Sequence, residues 1–407
     1  MPKLYTTIKQ TQQIPKDYDS AYLELRLDCL ELSIDEMVNL GKRLAHPPIF
    51  SNRVEAIQKS DLSRLAQIGH CDIDFDNYDH HIDYRFSPLI SWHHSNYPKI
   101  LPDIHDALFK ICPKPSDMPD CFKFLQTIQA MPEQRLIAYA RGERYQFTRH
   151  LAIASKQPIH FMRADHKNTD AQLAHHEVIY DHPCAHWLAV IGHPISHSMS
   201  PDFHNRWLRK LNLPGIYVAI DILPDELETC WSLLQALPFS GLSVTTPHKN
   251  TIAKILNHPR EIVNTLIKNE SNWRFFNTDV SAFKNLHNNY QSILILGAGD
   301  VACAVASTLS GPFYFWNRAG LSHKRFISRF PNARAPHGTE FDLIFSTLPH
   351  SANISLPALT AKQLIECQYT GKNQLNILAT DQISGEEFFF EQARKQQDLF
   401  MNIFSRS

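Results

Sequence analysis

A lysine and an aspartate in the second half of the sequence have the types and the settings that proton transfer requires. Lys249 follows the predicted strand 242–245 and Pro247, and it opens a predicted helix. A lysine in a first helical turn opposes the helix dipole, and such a local misfit indicates a functional position. Asp279 follows another strand-like run, where an aspartate can also serve simply as a helix N-cap. A lysine beside a carboxylate can move a proton to or from a hydroxyl group.

Two serines stand two positions apart in the stretch VIGHPISHSMSPDFHN, residues 190–205. Ser198 and Ser200 come after an apolar run and a Gly-His-Pro turn that contains Gly192. The chain has only 13 glycines in 407 residues. Glycine permits positive φ angles and the close approach of backbone to a ligand, so its use here predicts a turn with a function.

A third group of residues has the form of a phosphate-binding turn. The stretch QSILILGAGDVACAVASTL, residues 291–309, indicates an apolar strand, a glycine turn and a helix of small residues. Gly297 and Gly299 would let a pyrophosphate approach the free N–H groups of the helix N-terminus. The next predicted strand, FYFWNR, ends on Arg318, where an acid would suit NAD and an arginine suits the 2′-phosphate of NADP. A solvated arginine at a strand end is the alternative.

Composition bounds the architecture that carries these residues. A chain of 407 residues, 43% of them hydrophobic, can form two or three domains. The net charge of -1 and the lack of basic runs argue against nucleic acid as a partner. The eight cysteines are scattered singly, which predicts reduced thiols in the cytoplasm rather than disulfides or a zinc cluster. We expect no signal peptide, no membrane span and, since the histidine pairs at 80–81, 93–94 and 175–176 lack the spacing of a helical metal site, no bound metal.

The first half shows strand-like runs separated by helix-like stretches. In AYLELRLDCLEL, residues 21–32, leucines alternate with charged residues. An amphipathic strand on a sheet surface explains this pattern, but in a closed barrel the same strand would aim its charges at a binding site. Further strands are predicted in PPIFSNR, CDIDFDNY, SPLISWHH and DCFKFL, and helices in DEMVNLGKRLA and DIHDALFKI.

Lys123 lies between two phenylalanines in the predicted strand DCFKFL. On a buried strand its ammonium group would be desolvated, as the formation of an imine with a ketone requires. The alternative is a lysine that extends to solvent from a sheet edge.

From about Leu188 to Phe400 the chain resembles shikimate dehydrogenase. GHPISHSMSP is similar to that family's substrate loop, GLSVTTPHK to its VTxPxK motif, VNTL and NTD to its substrate and catalytic motifs, and GAGDVA and NR to its NADP motifs. The resemblance implies that Lys249 and Asp279 are catalytic, that Gly192 lets the chain turn sharply, and that NADP(H) is the cofactor. It implies substrate binding by Ser198, Ser200, Thr245, Asn264 and Gln392, the two serines facing a carboxylate. It implies cofactor binding by Gly297, Ala298, Gly299, Asp300, Val301, Ala302, Asn317 and Arg318.

From about Tyr22 to Tyr180 the chain resembles type I 3-dehydroquinate dehydratase. ELRLD is similar to that family's ExRxD strand, IFSNR to its next strand, LISWHH to its SxH strand and DCFKF to the strand that carries its imine-forming lysine. The resemblance implies that Lys123 forms the imine and that His93 moves protons. It implies substrate contacts from Glu24, Arg26, Arg53, Arg149 and Gln172.

The two resemblances together imply an α/β chain with three parts. Residues 1–184 would form a compact (β/α)8-type barrel, 185–288 a substrate lobe rejoined by 385–407, and 289–384 a Rossmann lobe for NADP. The expected enzyme dehydrates 3-dehydroquinate and reduces 3-dehydroshikimate to shikimate with NADPH, and its partners are these small molecules. Two alternatives stay open: a shikimate or quinate dehydrogenase with a non-catalytic first half, and a regulatory protein that senses metabolites.

Overall fold

Eight strands and four helices make up the first part of the fold in a computed structural model. The structure describes residues 3–14, 22–52, 57–94, 97–164, 172–174, 177–178, 184–258, 262–270, 272–287, 290–318, 321–349, 356–369 and 376–405. The strands are β1 (Lys3–Ile8), β2 (Tyr22–Arg26), β3 (Ile49–Ser51), β4 (His70–Asp74), β5 (Leu89–Trp92), β6 (Leu108–Ile111), β7 (Leu136–Ala138) and β8 (Ile159–Arg163). The helices are α1 (Ile34–Arg43), α2 (Lys59–Ala66), α3 (Met118–Gln129) and α4 (Phe147–Ala154).

These eight strands form one parallel, barrel-like sheet with the order β7-β6-β5-β4-β3-β2-β1-β8. The first strand pairs with both the second and the eighth, so the strands are consecutive in the sheet except at its two ends, which are β7 and β8. Tyr5, Ile49, Leu89 and Ile137 come from the four odd-numbered strands and belong to one buried cluster. Side chains from alternate strands fill the interior of parallel barrels in such layers. The sheet therefore encloses a packed core.

The strand β2 is buried on both faces, which decides between the two interpretations of its alternating pattern. Glu24, on the charged side of the pattern, has no exposed surface, and neither has Leu25 on the apolar side. A strand on a sheet surface would leave one of these sides in water. The charged side chains of β2 therefore belong to the interior of the barrel-like sheet.

Two elements were predicted wrongly, and the lysine in each therefore lies in the other type of secondary structure. The stretch LFKI, predicted as helix, forms strand β6, whereas CFKF, predicted as strand, lies within helix α3. The side chain of Asp117 caps α3 by accepting a hydrogen bond from the backbone N–H of Asp120 at 2.7 Å, and Pro119 occupies the first turn. Aspartate before a helix and proline in its first turn are standard start signals. Lys123 is consequently an exposed helical residue, and Lys110 is the lysine on a buried strand.

The second part of the fold contains two more sheets. Its elements are β9 (His186–Gly192), α5 (Ser200–Lys210), β10 (Gly215–Asp221), α6 (Leu227–Leu234), β11 (Phe239–Val244), α7 (Lys249–Ile255), β12 (Thr265–Asn269), β13 (Asn272–Phe276) and α8 (Thr278–Leu286). They are followed by β14 (Ile293–Leu296), α9 (Asp300–Ala306), β15 (Phe313–Trp316), α10 (Leu321–Arg329), β16 (Ala333–Arg334), β17 (Glu340–Ser346), β18 (Leu359–Glu366), β19 (Ile377–Ile383) and α11 (Gly385–Phe404).

The strand order identifies the later sheet as a Rossmann-type sheet. A five-stranded sheet has the order β10-β9-β11-β12-β13, and a six-stranded sheet has the order β16-β15-β14-β17-β18-β19. All pairings in the six-stranded sheet are parallel. Numbered within the sheet, this is the order 3-2-1-4-5-6 of dinucleotide-binding folds, whose ligands bind beyond the carboxyl ends of the strands where the order reverses. The last helix, α11, returns to pack against α8 and β12.

The chain forms two compact units. The first contains residues 1–188 and 208–239, and the second contains residues 189–207 and 240–407. No helix in the described ranges has both the length and the apolar character needed to cross a membrane.

Candidate active site

A cavity of about 380 Å³ in the second unit gathers most of the residues predicted for that half of the chain. Its described lining includes Ser198, Ser200, Thr245, Lys249, Asn264, Asp279, Gln392, Gly299, Asp300 and Val301. Five predicted cofactor residues are not among the described residues that line it, namely Gly297, Ala298, Ala302, Asn317 and Arg318. The volume suits a small-molecule ligand.

Lys249 and Asp279 form a buried ion pair in this cavity. The Lys249 Nζ atom lies 2.6 Å from Asp279 Oδ2, and both side chains are less than one-tenth exposed. Lys249 is the first residue of α7, and Asp279 lies in the first turn of α8, which Asn277 caps by accepting from the N–H of Val280. Two helix starts thus hold the ammonium and the carboxylate together, an arrangement that can pass a proton to or from a bound hydroxyl.

Gly192 allows a close approach of two loops, at the point where β9 ends and the chain bends. Its φ is not positive, but a Cβ atom there would lie 2.4 Å from Thr245 Cγ2. The same loops are joined by backbone hydrogen bonds from His193 N to Thr246 O and from Thr245 N to Ile191 O, both 3.0 Å long. Glycine is needed because no side chain fits between them. The contact sets Thr245 beside the serine loop.

The two serines of that loop meet at the start of helix α5. The Ser200 N–H donates to Ser198 Oγ at 3.3 Å, and both residues line the cavity. The Ser198 oxygen thereby satisfies one of the N–H groups that a helix start leaves open. Its hydroxyl proton and that of Ser200 are the groups this loop can offer to an anionic ligand.

Asn264 and Gln392 converge on Thr278. The Thr278 N–H donates to Asn264 Oδ1 at 2.8 Å, and Asn264 Nδ2 donates to Thr278 Oγ1 at 3.0 Å. The Thr278 hydroxyl oxygen lies 3.2 Å from Gln392 Oε1, to which it donates. Asn264 and Thr278 are buried, so these polar groups are satisfied by one another.

The glycine turn after β14 fits a dinucleotide. Gly297 has φ +104°, and a Cβ atom there would lie 2.3 Å from Thr347 Oγ1, whereas Gly299 faces open space. β14 adjoins both β15 and β17, so the turn lies at the point where the strand order reverses. Arg318 is exposed beyond the end of β15, where a solvent-facing 2′-phosphate could be met. Open space over a glycine and a helix start beside it form the cradle that a pyrophosphate needs.

Asp300 brings a negative charge close to that cradle. The side-chain amide of Asn250, on α7, donates a hydrogen bond to Asp300 Oδ1. Burial is the main cause that raises the pKa of Asp300 above 3.8, with Lys249 opposing the shift and Asp279 adding to it. The carboxylate is thus turned toward α7 and the ion pair.

Among the cavity residues that the sequence prediction missed are two that follow strands of the six-stranded sheet. Thr347 directly follows β17, and Cys367 directly follows β18, which is paired with β17. The rule that ligands bind beyond the carboxyl ends of parallel strands at the reversal point would have indicated both residues.

A separate polar network fills the interior of the barrel-like sheet. Lys110, on β6, has no exposed surface, and its Nζ atom forms an ion pair with Asp72 on β4. The Ser91 hydroxyl, on β5, donates to the other oxygen of Asp72. Burial raises the pKa of Asp72, but the charges of Lys110 and His93 and the hydrogen bonds from Lys110 and Ser91 together lower it below 3.8. Lys110 Nζ also lies 4.1 Å from the ring centroid of Phe161 on β8.

Two of the residues predicted for the first half, Glu24 and Gln172, both form hydrogen bonds with the Thr7 hydroxyl. Glu24 accepts from Thr7 Oγ1 at 2.5 Å and from Ser51 Oγ at 2.9 Å. Gln172 Nε2 donates to Thr7 Oγ1 at 3.0 Å. Arg26, next along β2 on the charged side, pairs with Asp28 instead, with Nε 2.8 Å from Oδ1.

The other predicted residues of the first half lie elsewhere. His93 directly follows β5, with Nε2 3.8 Å from Asp74 Oδ1. Arg149 is buried on α4 with its guanidinium 3.8 Å from the ring centroid of Tyr139. Lys123 is exposed on α3, and Arg53 lies outside the described residues. Sequence reasoning missed Lys110 because a four-residue strand has too few positions to show a period.

Comparisons with known proteins point to one family for the second half of the chain. Residues 190–266 match the family model described as shikimate dehydrogenase substrate binding domain. The shikimate dehydrogenase (NADP(+)) of Staphylococcus epidermidis is 32% identical over 207 residues, which are 44% of this chain and 76% of that protein. The corresponding enzyme of Rubrobacter xylanophilus is 36% identical over 157 residues, 35% of this chain and 53% of that protein. The chain spans about half the length of the first relatives it matches.

A solved structure matches along nearly the whole chain. The dehydroquinate dehydratase and shikimate dehydrogenase of S. pombe superimposes with a TM-score of 0.43 and 17% identity, covering 98% of this chain and 95% of that one.

Proposed function

Because the chain belongs to the shikimate dehydrogenase family, we propose that its second unit interconverts shikimate and 3-dehydroshikimate with NADP(H). The observation that carries this proposal is the buried Lys249–Asp279 pair in a cavity that Gly299 of the glycine turn also lines. A hydroxyl oxidation needs a base at the oxygen and a hydride acceptor at the carbon. The side chains of the cavity supply the base, and the glycine turn supplies the cradle for the dinucleotide that accepts the hydride.

In the oxidation direction Lys249 passes its own proton to Asp279 and takes up the proton of the reacting hydroxyl. Lys249 Nζ stands 2.6 Å from Asp279 Oδ2, so a proton taken from the substrate can be shared between the amine and the carboxylate. NADP+, when bound, would supply the hydride acceptor for the carbon that bears this hydroxyl. In the reduction direction the Lys249 ammonium returns the proton to the ketone oxygen, whose developing charge it also stabilises.

The remaining polar residues orient the substrate. The hydroxyls of Ser198 and Ser200 would bind its carboxylate, while Asn264 and Gln392 would bind its ring hydroxyls. Gly299 and the start of α9 would carry the pyrophosphate, and Arg318 the 2′-phosphate.

The test is the NADP+-dependent oxidation of shikimate by the purified chain, followed through the absorbance of the reduced dinucleotide. We expect turnover with shikimate that exceeds turnover with quinate and that falls when NAD+ replaces NADP+. Absence of oxidation with either substrate and either dinucleotide would refute the proposed function.

We propose as a second activity that the first unit dehydrates 3-dehydroquinate through an imine. The supporting observation is Lys110, which is fully buried inside the barrel-like sheet among Asp72, Ser91 and Phe161. Lys110 would first pass its ammonium proton to Asp72, and the free amine would then attack the ketone carbon, with water leaving as the imine forms. His93, at the end of the neighbouring strand, would move the proton that elimination requires.

One assay separates this bifunctional enzyme from its alternatives. The purified chain is incubated with 3-dehydroquinate, with and without NADPH. Formation of 3-dehydroshikimate without NADPH, and of shikimate with it, supports both activities. A shikimate dehydrogenase with a non-catalytic first half would leave 3-dehydroquinate unchanged yet reduce added 3-dehydroshikimate. A quinate dehydrogenase would convert 3-dehydroquinate to quinate, and only with NADPH, and a metabolite-sensing protein would catalyse none of these reactions.

A further inference from the structure

A chain of buried side chains runs from Asn264 to His204 through Gln396, which also lines the cavity. The Thr265 hydroxyl donates to Asn264 Oδ1 at 2.9 Å, and Gln396 Nε2 donates to Thr265 Oγ1 at 3.1 Å. The Gln396 Oε1 atom lies 3.2 Å from His204 Nε2. All four side chains are at most 3% exposed, so water cannot substitute for any of these bonds.

The direction of every bond in this chain is determined from one end. The backbone N–H of Thr278 can only donate, so the atom it reaches in Asn264 must be the oxygen. The Thr265 hydroxyl has a single proton, which goes to that oxygen, and its own oxygen must then accept from the amide nitrogen of Gln396. The amide oxygen of Gln396 in turn accepts from His204, which must carry its proton on Nε2.

The protonation state of His204 agrees with its assignment as the donor to Gln396. Burial lowers the pKa of His204 to about 3, while its bond to Gln396 opposes the shift only in part. The ring is neutral at ordinary pH and has one N–H to place. The phenylalanine rings of residues 203 and 400 pack against it edge to face and restrict its orientation.

We propose that Gln396 and His204 are positioning residues of the substrate site: through Thr265 they hold the Asn264 carboxamide with its nitrogen toward Thr278 and the cavity. This inference rests on the dehydrogenase function proposed above. Asn264 would then present an N–H donor to a substrate oxygen. A rotated amide would present an oxygen there instead and lose its bond to the Thr278 N–H. Gln396 lies one helical turn beyond Gln392, so α11 would contribute to both sides of the same group.

The kinetic test uses three variants on α11. Gln396→Met keeps the shape of the side chain but loses both bonds, and Gln396→Glu keeps an acceptor for His204 but cannot donate to Thr265. Gln397→Met, at the half-exposed neighbouring position, is the control. We expect both Gln396 variants to raise KM for shikimate about tenfold, with kcat changed less than about threefold and KM for NADP+ unchanged, because one ordered donor is lost. Equal KM values in Gln396→Met, the control and the unaltered protein would overturn the proposal.

A second measurement does not depend on activity. In protein labelled with ¹⁵N-histidine, the signal that disappears in His204→Phe identifies His204. We expect a neutral ring with its proton on Nε2 from neutral pH down to about pH 4, and loss of this preference in Gln396→Met. A proton on Nδ1 in the unaltered protein would overturn the proposed chain even if the enzyme is active. If the unaltered protein shows no dehydrogenase activity, the proposed function fails while this measurement still decides the hydrogen-bond chain.

Discussion

The carboxylate of Glu226 accepts hydrogen bonds from both terminal nitrogens of Arg144, which precedes it by 82 residues. One bond joins Nη1 to Oε1 at 2.9 Å, and the same carboxylate accepts from the backbone N–H of Met118 at 3.1 Å and of Leu223 at 2.9 Å. Met118 is the first residue of α3, so a residue just before α6 caps a helix of the barrel-like half. This explains physically why residues 208–239 belong to the same compact unit as that half.

Glu226 should make the stability of the first unit dependent on pH. Burial raises the pKa of Glu226, but the bonds from Arg144 and the two backbone donors outweigh it and lower the pKa below 4.5. Because the pKa of Glu226 is lower in the folded state, its stabilisation is complete at pH values above the pKa of the unfolded state. The stabilisation is lost as the pH falls through the pKa of the folded state. We expect Glu226→Gln to lower the free energy of unfolding by about 1.5–3 kcal/mol at pH 7, with a difference that shrinks below pH 4.5.

Urea unfolding at a series of pH values measures this difference, with Glu228→Gln, an exposed position on α6, as the control. A Glu226→Gln effect that is the same at pH 7 and well below pH 4.5 would contradict the assigned ionisation.

Lys249→Ala should lower kcat for shikimate oxidation by about 100-fold or more with little change in KM, because proton transfer acts in the transition state. Asp279→Asn should have a similar effect, since the two groups share the proton at 2.6 Å. Lys254→Ala, an exposed position on the same helix, is the control. Steady-state kinetics decides the matter, and near-normal turnover in Lys249→Ala would remove this lysine from the mechanism.

The sequence placed Lys249 and Asp279 correctly relative to their elements. Both follow strand-like runs and begin helices, and the ends of strands in one sheet bring such residues together. The bond between Asn250 and Asp300 could not be predicted, because it joins helices from two different sheets. Which side chains meet across sheets depends on the packing of whole layers and leaves no periodic trace in either segment.

The error at Lys123 has a different physical cause. LFKI and CFKF have nearly the same order of apolar residues around a lysine, and neither run alone separates strand from helix. The deciding information lay outside the run, in Asp117 and Pro119, which start a helix. Gly192 shows a related limit, since a glycine can serve either a positive φ or a close contact and only the structure distinguishes them.

Arg318 should carry much of the preference for NADPH over NADH. The residue is exposed beyond β15, where a charge-assisted contact with a 2′-phosphate is expected to contribute about 1.5–3 kcal/mol. We expect Arg318→Ala to raise the Kd for NADPH by roughly 10- to 100-fold and to leave the Kd for NADH unchanged. Fluorescence titration of both dinucleotides tests this, with Arg325→Ala on α10 as the control. Equal affinities of the unaltered protein for the two dinucleotides would show that the arginine is only a solvated residue.

Lys110 should be the residue that forms an imine with 3-dehydroquinate. It is the buried lysine of the barrel-like sheet, paired with Asp72, whereas Lys123 is exposed on α3. Borohydride reduces an imine to a stable amine, so incubation with substrate and borohydride should leave a substrate-sized adduct on Lys110. Peptide mass spectrometry locates the adduct. We expect it to be absent in Lys110→Met and retained in Lys123→Met, which is the matched control because it removes a lysine without touching the interior. An unaltered protein that oxidises shikimate, and is therefore folded, but gives no adduct on Lys110 would favour a non-catalytic first half.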